Sequence, residues 1–446
     1  MPGRDRTNYR VAGLSGVPDR PLPAPELSFR YDVAIVGLGY VGLPTALAFR
    51  SAGFRVLGID VSAERLADIR QGRVDVLPGD RVQLSAALRS HAFDLTDQID
   101  ALCQAAVVVI CVPTPIDRQF VPDLSALATA CRMVVEHAIT GQVLVLTSTS
   151  YVGTTEELLA RPLIARGLQP GEQIFVAFSP ERIDPANEHH PHATVPRVIG
   201  GITPNCTQRA MKVLGAYGAR LHAVSSANAA ELTKLLENTF RAVNIAFMNE
   251  MADASRSLGL DVREVIEAAA TKPFGFMPFL PGPGVGGHCI PCDPHYLLWQ
   301  LRRRRQSAPV IEQAMTAIAN RPRQVVDRIK DALSEAGLPL RGARVLVVGV
   351  AYKPDVKDVR ESPALEIMHG LRAAGAAVRY YDPLIPELRL SDGTTMRSVT
   401  EPAAEPTDLV LVHTLHREVD SRCFDDGRLV LDATYRLRGL AGQIVL

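Results

Sequence analysis

Short apolar segments alternate with amphipathic ones over the first half of the chain. Residues 31–37 read YDVAIVG, a helical pattern continues to about residue 51, and a second apolar segment covers residues 55–60. Three more apolar segments follow at 106–112, 143–147 and 173–178. Continuous apolar segments separated by helical patterns are typical of buried parallel strands with helical connections, so we predict a doubly wound sheet.

The pattern changes to helix at about residue 227. Between residues 228 and 258, apolar residues recur three and four positions apart, at Leu232, Leu235, Leu236, Phe240, Val243, Phe247 and Met251. This spacing predicts one long amphipathic helix. No strand pattern returns until about residue 343, after which apolar segments lie at 344–349, 378–382, 409–413 and 429–432.

These patterns predict an α/β fold in which two Rossmann-like, doubly wound domains are joined by a central helical domain. We place the first α/β domain at residues 31–222, the helical domain at 223–335 and the second α/β domain at 336–446. Residues 1–30 are rich in proline and arginine and contain no apolar segment of the kind found in signal peptides. We expect them to form a disordered tail.

Composition narrows the class of protein. The 446 residues include 48 basic and 48 acidic side chains, so the net charge is zero and no nucleic-acid partner is indicated. The one basic run, residues 302–305, fits a solvated helix face, and no apolar stretch is long enough to cross a membrane. Seven cysteines, an odd number, with Cys111 in a strand-like segment, indicate a reduced, cytoplasmic protein.

The first candidate site follows the first predicted strand, where Gly37, Gly39 and Gly42 form a G-x-G-x-x-G motif that opens a helix. In such a motif the first glycine permits a tight turn, the second lets backbone approach a pyrophosphate, and the third permits close packing of helix and strand. Asp60 ends the second strand, where a carboxylate can bind the adenosine ribose and repel a 2′-phosphate. The pattern predicts NAD as cofactor, rather than NADP.

The second candidate site is the loop 281–295, with the sequence PGPGVGGHCIPCDPH. Its prolines and glycines exclude a helix or a central strand. Cys289 lies among glycines, where a thiol is unhindered and suits a nucleophile, and Asp293 could orient a water or accept a proton. Two other interpretations stay open: Cys289 and Cys292 have the spacing of a redox pair, and His288 and His295 could complete a metal site with them. We favour Cys292 as a packing thiol and no metal.

Two further segments carry candidate chemistry. Lys234 and Asn238 are four residues apart, so they share one helix face and could together hold an oxyanion or a water; a solvated helix face is the alternative. Glu181 lies in the loop FSPERIDP directly after a predicted strand, and Thr149 ends another. Loops at the carboxyl ends of parallel strands are where open α/β sheets bind ligands.

The chain resembles the nucleotide-sugar 6-dehydrogenases, the group that contains UDP-glucose and UDP-N-acetylhexosamine dehydrogenases. The resemblance covers roughly residues 31–440 and rests on six segments in family order: VAIVGLGYVGLP, CVPTP, FSPERIDP, LTKLLENTFRAVNIAFMNE, ATKPFGFMPFLPGPGVGGHCIPCDP and VAYKPDVKDVRESPALEI. It implies that the first domain binds NAD, that the last domain binds a UDP-sugar, and that the central helix forms the interface of a homodimer or a multiple of it.

The resemblance also implies roles for individual residues. The catalytic positions of the family match Cys289, Lys234, Asn238, Asp293, Glu181 and Thr149. The cofactor positions match Gly37, Gly39, Tyr40, Val41, Gly42, Asp60, Arg65, Thr114, Thr149 and Arg360. The substrate positions match Glu181, Lys234, Asn238, Arg241, Gly284, Gly286 and Lys353, and no metal is implied.

The implied reaction is a four-electron oxidation. The C6 hydroxyl of the sugar loses a hydride to NAD, the Cys289 thiolate adds to the aldehyde, a second NAD takes a hydride to leave a thioester, and water hydrolyses it. The wording of the motifs is most similar to the UDP-N-acetylglucosamine branch, with UDP-glucose as the alternative substrate. The chain departs from that branch at Val152 and Ala186, and residues 187–192 are unusually rich in histidine.

Overall fold

The computed structural model describes residues 29–74, 78–117, 119–182, 195–215, 220–287, 289–420, 424, 427–440 and 442–446. The predicted tail falls almost entirely outside these residues, as do the histidine-rich segment, Ala186 and His288. The described residues form two sheets flanked by helices, with a group of helices between them, so the predicted fold class is confirmed.

The first sheet has eight strands in the order β3-β2-β1-β4-β5-β6-β7-β8. Its strands are β1 (Tyr31–Val36), β2 (Val56–Ile59), β3 (Phe93–Thr96), β4 (Ala105–Ile110), β5 (Val143–Leu146), β6 (Phe175–Phe178), β7 (Arg197–Gly201) and β8 (Leu221–Ala223). Its helices are α1 (Gly42–Ser51), α2 (Ala63–Arg70), α3 (Pro78–Leu88), α4 (Ser125–His137), α5 (Arg161–Ala165) and α6 (Pro204–Gly215), with a 3₁₀ turn at Ile99–Gln104 and a π-helical turn at Glu156–Ala160.

Three strands of this sheet were not predicted. β3 lies at the sheet edge with only Phe93 buried, β7 ends in two glycines, and β8 has three residues, none of them buried. None of the three presents a long apolar segment, which is why the apolar pattern did not reveal them. β7 also runs antiparallel to β6, so the sheet is mixed at this edge, although its first six strands are parallel.

Both faces of the first sheet are covered. Alternate residues of β1 enter two separate apolar clusters, Val33 and Ile35 one of them and Ala34 and Val36 the other. A strand buried on both faces reads as a continuous apolar segment, and this is why β1, β4 and β5 could be recognised from sequence.

The central helices are α7 (Ala227–Ser257), α8 (Val262–Ala270), α9 (Asp293–Arg303) and α10 (Pro309–Glu335). The side chain of Ser226 caps the start of α7 by accepting a hydrogen bond from the Ala229 amide. α7 packs against both α10 and α9. No helix in the described part of the chain is long and apolar enough to cross a membrane.

The second sheet has five parallel strands in the order β10-β9-β13-β14-β15. They are β9 (Arg344–Val348), β10 (Ala377–Tyr381), β13 (Leu409–Val412), β14 (Leu429–Asp432) and β15 (Gln443–Val445), with α11 (Pro363–Ala373) connecting β9 to β10. β11 (Glu387–Arg389) and β12 (Thr395–Arg397) form a separate hairpin. One apolar cluster contains residues of α7, α10, β9 and α11, so the helices and the second sheet share a core.

Candidate active site

The glycine motif lies in the crevice between β1 and β4, where the strand order of the first sheet reverses. Gly37 has φ +89°, and a Cβ there would lie 2.6 Å from the Cys111 carbonyl oxygen. A Cβ at Gly42 would lie 1.8 Å from the Gly37 carbonyl oxygen, whereas one at Gly39 would have no neighbour within 4 Å. Backbone is therefore tightly packed at two glycines and open at the third, which fits the approach of a dinucleotide phosphate to the start of α1.

Asp60 supports this loop. One of its carboxylate oxygens accepts a hydrogen bond from the Leu38 amide at 2.8 Å, and the other accepts one from the Ser62 amide at 2.9 Å. The Arg65 Nε donates to the Leu38 carbonyl oxygen at 2.9 Å. Asp60 is only half-buried, so a hydroxyl of a bound ribose can still reach it.

The loops after β4 and β5 lie at the same edge of the sheet. Thr114 follows β4, and its carbonyl oxygen accepts a hydrogen bond from the Tyr296 hydroxyl of α9 at 3.1 Å. Thr149 is half-buried in the segment after β5. Gln300 of α9 donates to the Val152 carbonyl oxygen at 2.6 Å and accepts from the Val152 amide at 3.1 Å. The start of α9 is therefore fixed against the carboxyl edge of the first sheet.

The glycine-rich loop that carries Cys289 is held between the central helices and the second α/β domain. The Asn249 side chain of α7 accepts a hydrogen bond from the Gly282 amide at 2.9 Å, and Arg321 of α10 donates to the Gly282 carbonyl oxygen at 3.1 Å. A Cβ at Gly284 would lie 2.7 Å from Pro363. A Cβ at Gly286 would lie 2.7 Å from Tyr352. These glycines thus let the loop pass close to the second domain.

Cys289 is exposed one turn before α9 begins. Its carbonyl oxygen accepts hydrogen bonds from the Asp293 amide at 2.8 Å and the Cys292 amide at 3.2 Å. The positive end of a helix favours a thiolate over a thiol. An exposed thiol in this position can act as a nucleophile.

Asp293 joins the Cys289 turn to α7. Its carboxylate accepts a hydrogen bond from the Asn238 side chain, and both residues are buried. Burial raises the pKa of Asp293 to about 6, against the opposing effects of the Lys234 charge and the Asn238 hydrogen bond. A carboxyl group with this pKa can exchange a proton with a water at neutral pH. Asn238 is buried and Lys234 is half-buried, so this face of α7 is not a fully solvated helix face.

Glu181 contacts the same face of α7, through Lys234. Its carbonyl oxygen accepts a hydrogen bond from the Lys234 ammonium at 3.0 Å, and its carboxylate pairs with the buried Arg197. Arg182 pairs with Glu237 of α7 at 2.5 Å, which fixes the loop after β6 against the helix. Contacts thus connect Glu181, Lys234, Asn238, Asp293 and the Cys289 turn.

Cys292 and His295 have the surroundings of structural residues. Burial raises the pKa of Cys292 to about 12, so it stays a thiol, and burial lowers the pKa of His295 to about 4. The His295 ring stacks on Phe120 with a centroid separation of 4.6 Å. Among the residues the structure describes, no group of three or more His, Cys, Asp or Glu side chains could hold a metal.

The remaining candidate residues from the sequence differ in how far their side chains are exposed. Tyr40 is exposed, Val41 is half-buried, and the Arg360 guanidinium lies 5.4 Å from the Tyr40 ring centroid, which brings the second domain to the first glycine motif. Asp358 holds Arg360 in place through both carboxylate oxygens. Lys353 is half-buried, and Arg241 is exposed one turn beyond Asn238.

Several residues that shape the site were not identified from sequence. Glu231 is buried and accepts hydrogen bonds from the Thr155 amide and hydroxyl, which ties α7 to the segment after β5. The sequence also did not single out Arg197, Arg321 or Tyr352. Each of these residues lies in an ordinary helix, strand or loop pattern, and only the fold shows what it contacts. The one available signal was a charged residue at the start of a short segment with apolar residues, as at Arg197, the first residue of β7.

Domain models of one family match the chain in three consecutive segments. The NAD binding domain of the UDP-glucose/GDP-mannose dehydrogenase family matches residues 31–217, its central domain matches 228–319, and its UDP binding domain matches 346–437. The three segments cover most of the first sheet, of the central helices and of the second sheet.

Individual proteins agree with this match. The chain is 34% identical to a UDP-N-acetyl-D-mannosamine dehydrogenase of Pyrococcus horikoshii over 87% of this chain and 90% of that protein. It is 35% identical to a UDP-N-acetyl-D-glucosamine 6-dehydrogenase of Pseudomonas aeruginosa, over 79% and 83%.

Solved structures show the same likeness. The UDP-D-ManNAc dehydrogenase of P. horikoshii superposes with a TM-score of 0.84 at 32% identity, covering 93% of this chain and 98% of that one. A UDP-glucose dehydrogenase of Pyrobaculum islandicum superposes with a TM-score of 0.81 at 27% identity, covering 95% and 98%. The chain therefore belongs to the UDP-glucose/GDP-mannose dehydrogenase family and is an NAD-dependent UDP-sugar 6-dehydrogenase.

Proposed function

We propose that this enzyme oxidises the C6 alcohol of a UDP-N-acetylhexosamine, with UDP-N-acetylglucosamine as the first candidate, to the carboxylate through a thioester on Cys289. The observation that carries the proposal is the position of Asp293, whose amide binds the Cys289 turn and whose carboxylate binds Asn238. These two contacts support the proposal, because they connect the Cys289 turn, the Asp293 carboxyl and the Asn238 amide, and the Lys234 charge acts on the same carboxyl.

The first glycine motif and its surroundings are the proposed NAD site. The residues that would hold the cofactor are Gly37, Gly39, Tyr40, Val41, Gly42, Asp60, Arg65, Thr114, Thr149 and Arg360. The open space at Gly39 and the half-buried carboxylate of Asp60 support this assignment. Bound NAD supplies the hydride acceptor, and the four-electron change from alcohol to acid uses two molecules of it.

Cys289 supplies the covalent chemistry in this proposal. Its thiolate adds to C6 of the aldehyde, and oxidation of that adduct leaves a thioester, in which C6 is bonded to sulfur. Water then attacks C6, the carbon–sulfur bond breaks, and the products are the carboxylate and the thiol. Lys234 and Asn238 are placed to stabilise the oxyanion that forms during this attack, with Thr149 as a further catalytic candidate.

Asp293 takes the proton from the attacking water. Its pKa of about 6 means that it is mainly ionised at neutral pH and is still basic enough to accept a proton. Glu181 contributes through its carbonyl oxygen, which positions the Lys234 ammonium. The UDP-sugar would contact Glu181, Lys234, Asn238, Arg241, Gly284, Gly286 and Lys353.

The protein is proposed to be a homodimer, or a multiple of one, that pairs through α7. Four large apolar side chains of this helix, Leu232, Leu236, Phe240 and Phe247, are 44–62% exposed. Successive spacings of four, four and seven residues place them along one face. An apolar stripe of this kind favours burial against a second copy.

The substrate assignment rests on the similarity of the motifs to the UDP-N-acetylglucosamine branch. The names of the relatives cited above include N-acetylated UDP-sugars and also UDP-glucose, so the substrate is to be tested directly. The test incubates the full-length protein and NAD with UDP-N-acetylglucosamine, its galacto and manno epimers, and UDP-glucose at equal concentrations. NADH and product mass are measured together. We expect an acetamido sugar to be oxidised fastest, with two NADH formed per uronate and no released aldehyde. Faster turnover of UDP-glucose at saturation would contradict the N-acetylhexosamine assignment.

A further inference from the structure

The loop that carries Lys353, residues 350–355, is held by hydrogen bonds to two buried side chains of the second α/β domain. Asp382 directly follows β10, and one of its carboxylate oxygens accepts hydrogen bonds from the Val350 amide at 2.7 Å and the Ala351 amide at 3.1 Å. His416 lies after β13, and its Nε2 is 3.1 Å from the same oxygen. Both side chains are almost fully buried, at 1% exposure or less.

The hydrogen-bond roles of His416 follow from its partners. Its Nδ1 accepts a hydrogen bond from the Asp355 amide at 2.9 Å, and a backbone amide can only donate. Nδ1 therefore carries no proton, and in the neutral ring Nε2 carries it and donates to Asp382. Burial opposes ionisation of Asp382, yet the hydrogen bonds from His416 and the amides keep its pKa below the ordinary value. His416 thus fixes the far end of the loop at Asp355 and, through Asp382, its near end at Val350.

The conformation of Asp355 needs such a constraint. Its φ is +62°, a left-handed value that residues other than glycine adopt rarely. Such a residue persists when its surroundings determine it from several sides. At Asp355 the amide donates to His416. Its carboxylate accepts a hydrogen bond from the Arg417 amide at 2.9 Å and pairs with the Arg417 Nε at 3.0 Å.

In the first sheet, Asp60 occupies the position that corresponds to Asp382 in the second sheet, but the two carboxylates have different surroundings. Gly37 and Gly349 each directly follow the first strand of their sheet and have a positive φ. Asp60 and Asp382 each directly follow the neighbouring strand. The Asp60 carboxylate accepts a hydrogen bond from the Leu38 amide of the glycine loop and is half-buried, so a ligand hydroxyl can reach it. The Asp382 oxygen that faces the loop is covered by His416. Because Asp382 is fully buried, the second sheet does not offer this carboxylate to a ribose, and the loop that it supports is the part left to contact a ligand in the proposal below.

We propose that His416 is a positioning residue that sets the conformation of the Lys353 loop for the nucleotide of the UDP-sugar. The inference rests on the proposed function, which places Lys353 among the substrate contacts. His416 does not touch substrate in this proposal; it acts through the Asp355 amide at one end of the loop and Asp382 at the other.

Three substitutions separate its two hydrogen bonds. His416→Ala removes both. His416→Asn keeps an oxygen close to the place of Nδ1, so it can still accept from the Asp355 amide. His416→Gln keeps a donor close to the place of Nε2, so it can still bind Asp382 but not the amide. Tyr380→Phe is the matched control, because it removes a buried hydrogen bond of the same domain, from Tyr380 to the Ile385 carbonyl oxygen, without touching the loop.

Each full-length variant is tested by calorimetric titration with UDP, by the KM for UDP-sugar and for NAD, and by thermal unfolding. We expect His416→Ala and His416→Gln to weaken UDP binding and raise the KM for UDP-sugar about tenfold, with the KM for NAD within about twofold of wild type. His416→Asn should retain most of the UDP affinity. Tyr380→Phe should lower the unfolding temperature and leave UDP affinity unchanged.

The inference is overturned if His416→Ala binds UDP like the wild type, or if Tyr380→Phe weakens UDP binding as much as His416→Ala does. Should the alanine variant fail to fold, the other two decide: a glutamine variant that binds UDP at least as well as the asparagine variant overturns the inference. If the wild-type enzyme turns over a UDP-sugar and all variants bind UDP normally, the role of His416 is refuted and the proposed function stands. A wild-type enzyme that binds no UDP and oxidises no UDP-sugar refutes the proposed function as well.

Discussion

Cys289 and Cys292 are three residues apart, and their surroundings predict opposite behaviour on substitution. Cys289 is exposed before the positive end of α9, whereas Cys292 is buried with its pKa raised to about 12. Cys289→Ala should lose steady-state uronate formation by several orders of magnitude, on the scale of nucleophile deletions in other enzymes. Cys292→Ser is the matched control and should keep most activity, measured as NADH formed per second at saturating substrate.

The Cys289→Ser variant provides a second test of the proposed covalent step. A serine ester hydrolyses more slowly than a thioester, so we expect a sugar-nucleotide adduct on the peptide that contains residue 289, detected by mass spectrometry after incubation with substrate and NAD. Near wild-type uronate formation by Cys289→Ala, or an equal loss in Cys292→Ser, would contradict the thioester mechanism.

Asp293 predicts a pH dependence of the reaction. Its pKa is raised to about 6, so its ionised fraction, the form that accepts a proton, grows as the pH rises through 6. We expect kcat/KM to fall below about pH 6. Asp293→Asn should lower the rate and abolish this acid limb. Lys234→Met should move the limb to higher pH, since the Lys234 charge opposes the rise of the Asp293 pKa. An unchanged acid limb in Asp293→Asn would assign it to another group.

The raised pKa of Asp293 also has a consequence for stability, with a definite sign. The folded state binds this proton more tightly than the unfolded chain, whose carboxyl has the ordinary pKa of 3.8. Its contribution to stability is therefore fully present below pH 4 and is lost as the pH rises through about 6. The change corresponds to roughly 3 kcal/mol if no other group compensates, and Asp293→Asn should remove it.

At the scale of elements, α7 has two faces with different surroundings. One face is buried and carries Asn238 against Asp293, whereas the other exposes Leu232, Leu236, Phe240 and Phe247. Leu236→Glu should therefore dissociate the proposed dimer, because it places a charge within the apolar stripe. The measurement is molar mass by light scattering at several protein concentrations.

The control for that experiment is Arg256→Gln, which lies on the same helix away from the stripe and changes the net charge by the same amount. It should leave the molar mass unchanged. A wild-type protein that is monomeric at all concentrations, or a Leu236→Glu variant that remains dimeric, would refute pairing through this stripe.

At the scale of the whole molecule, Arg321 connects three parts of the chain. It is almost fully buried and donates hydrogen bonds to Asp253 of α7 at 2.8 Å, to the Gly282 carbonyl oxygen of the cysteine loop at 3.1 Å, and to the Tyr435 hydroxyl of the second domain at 3.4 Å. Arg321→Met should lower the free energy of unfolding by about 3 kcal/mol, because it leaves buried acceptors without a donor.

Arg256→Gln is again a matched control, since Arg256 also pairs with Asp253, at 3.4 Å, but on the surface. It should change the free energy of unfolding by less than about 1 kcal/mol. Both variants are compared by denaturant unfolding at one fixed protein concentration, because dimerisation shifts apparent stability. Equal effects of the two substitutions would show that the buried contacts of Arg321 contribute little.

The sequence by itself predicted the fold class, which the structure confirms, and the candidate residues for the proposed chemistry. β1, β4 and β5 are buried on both faces, so their sequences are continuously apolar and could be recognised without a structure. The spacing of Gly37, Gly39 and Gly42 before a helix, and the glycine-rich surroundings of Cys289, are local features, and local features are visible in the order of residues.

The tertiary structure alone decided which residues support them. Arg197, Arg321 and the pair of Asp382 and His416 act through partners 16 to 114 positions away along the chain. The carboxyl of Asp293 obtains its pKa of about 6 only because folding removes it from water, and the Lys234 charge opposes this rise. Burial and electrostatic surroundings depend on which distant segments meet, so no local pattern of residues encodes them.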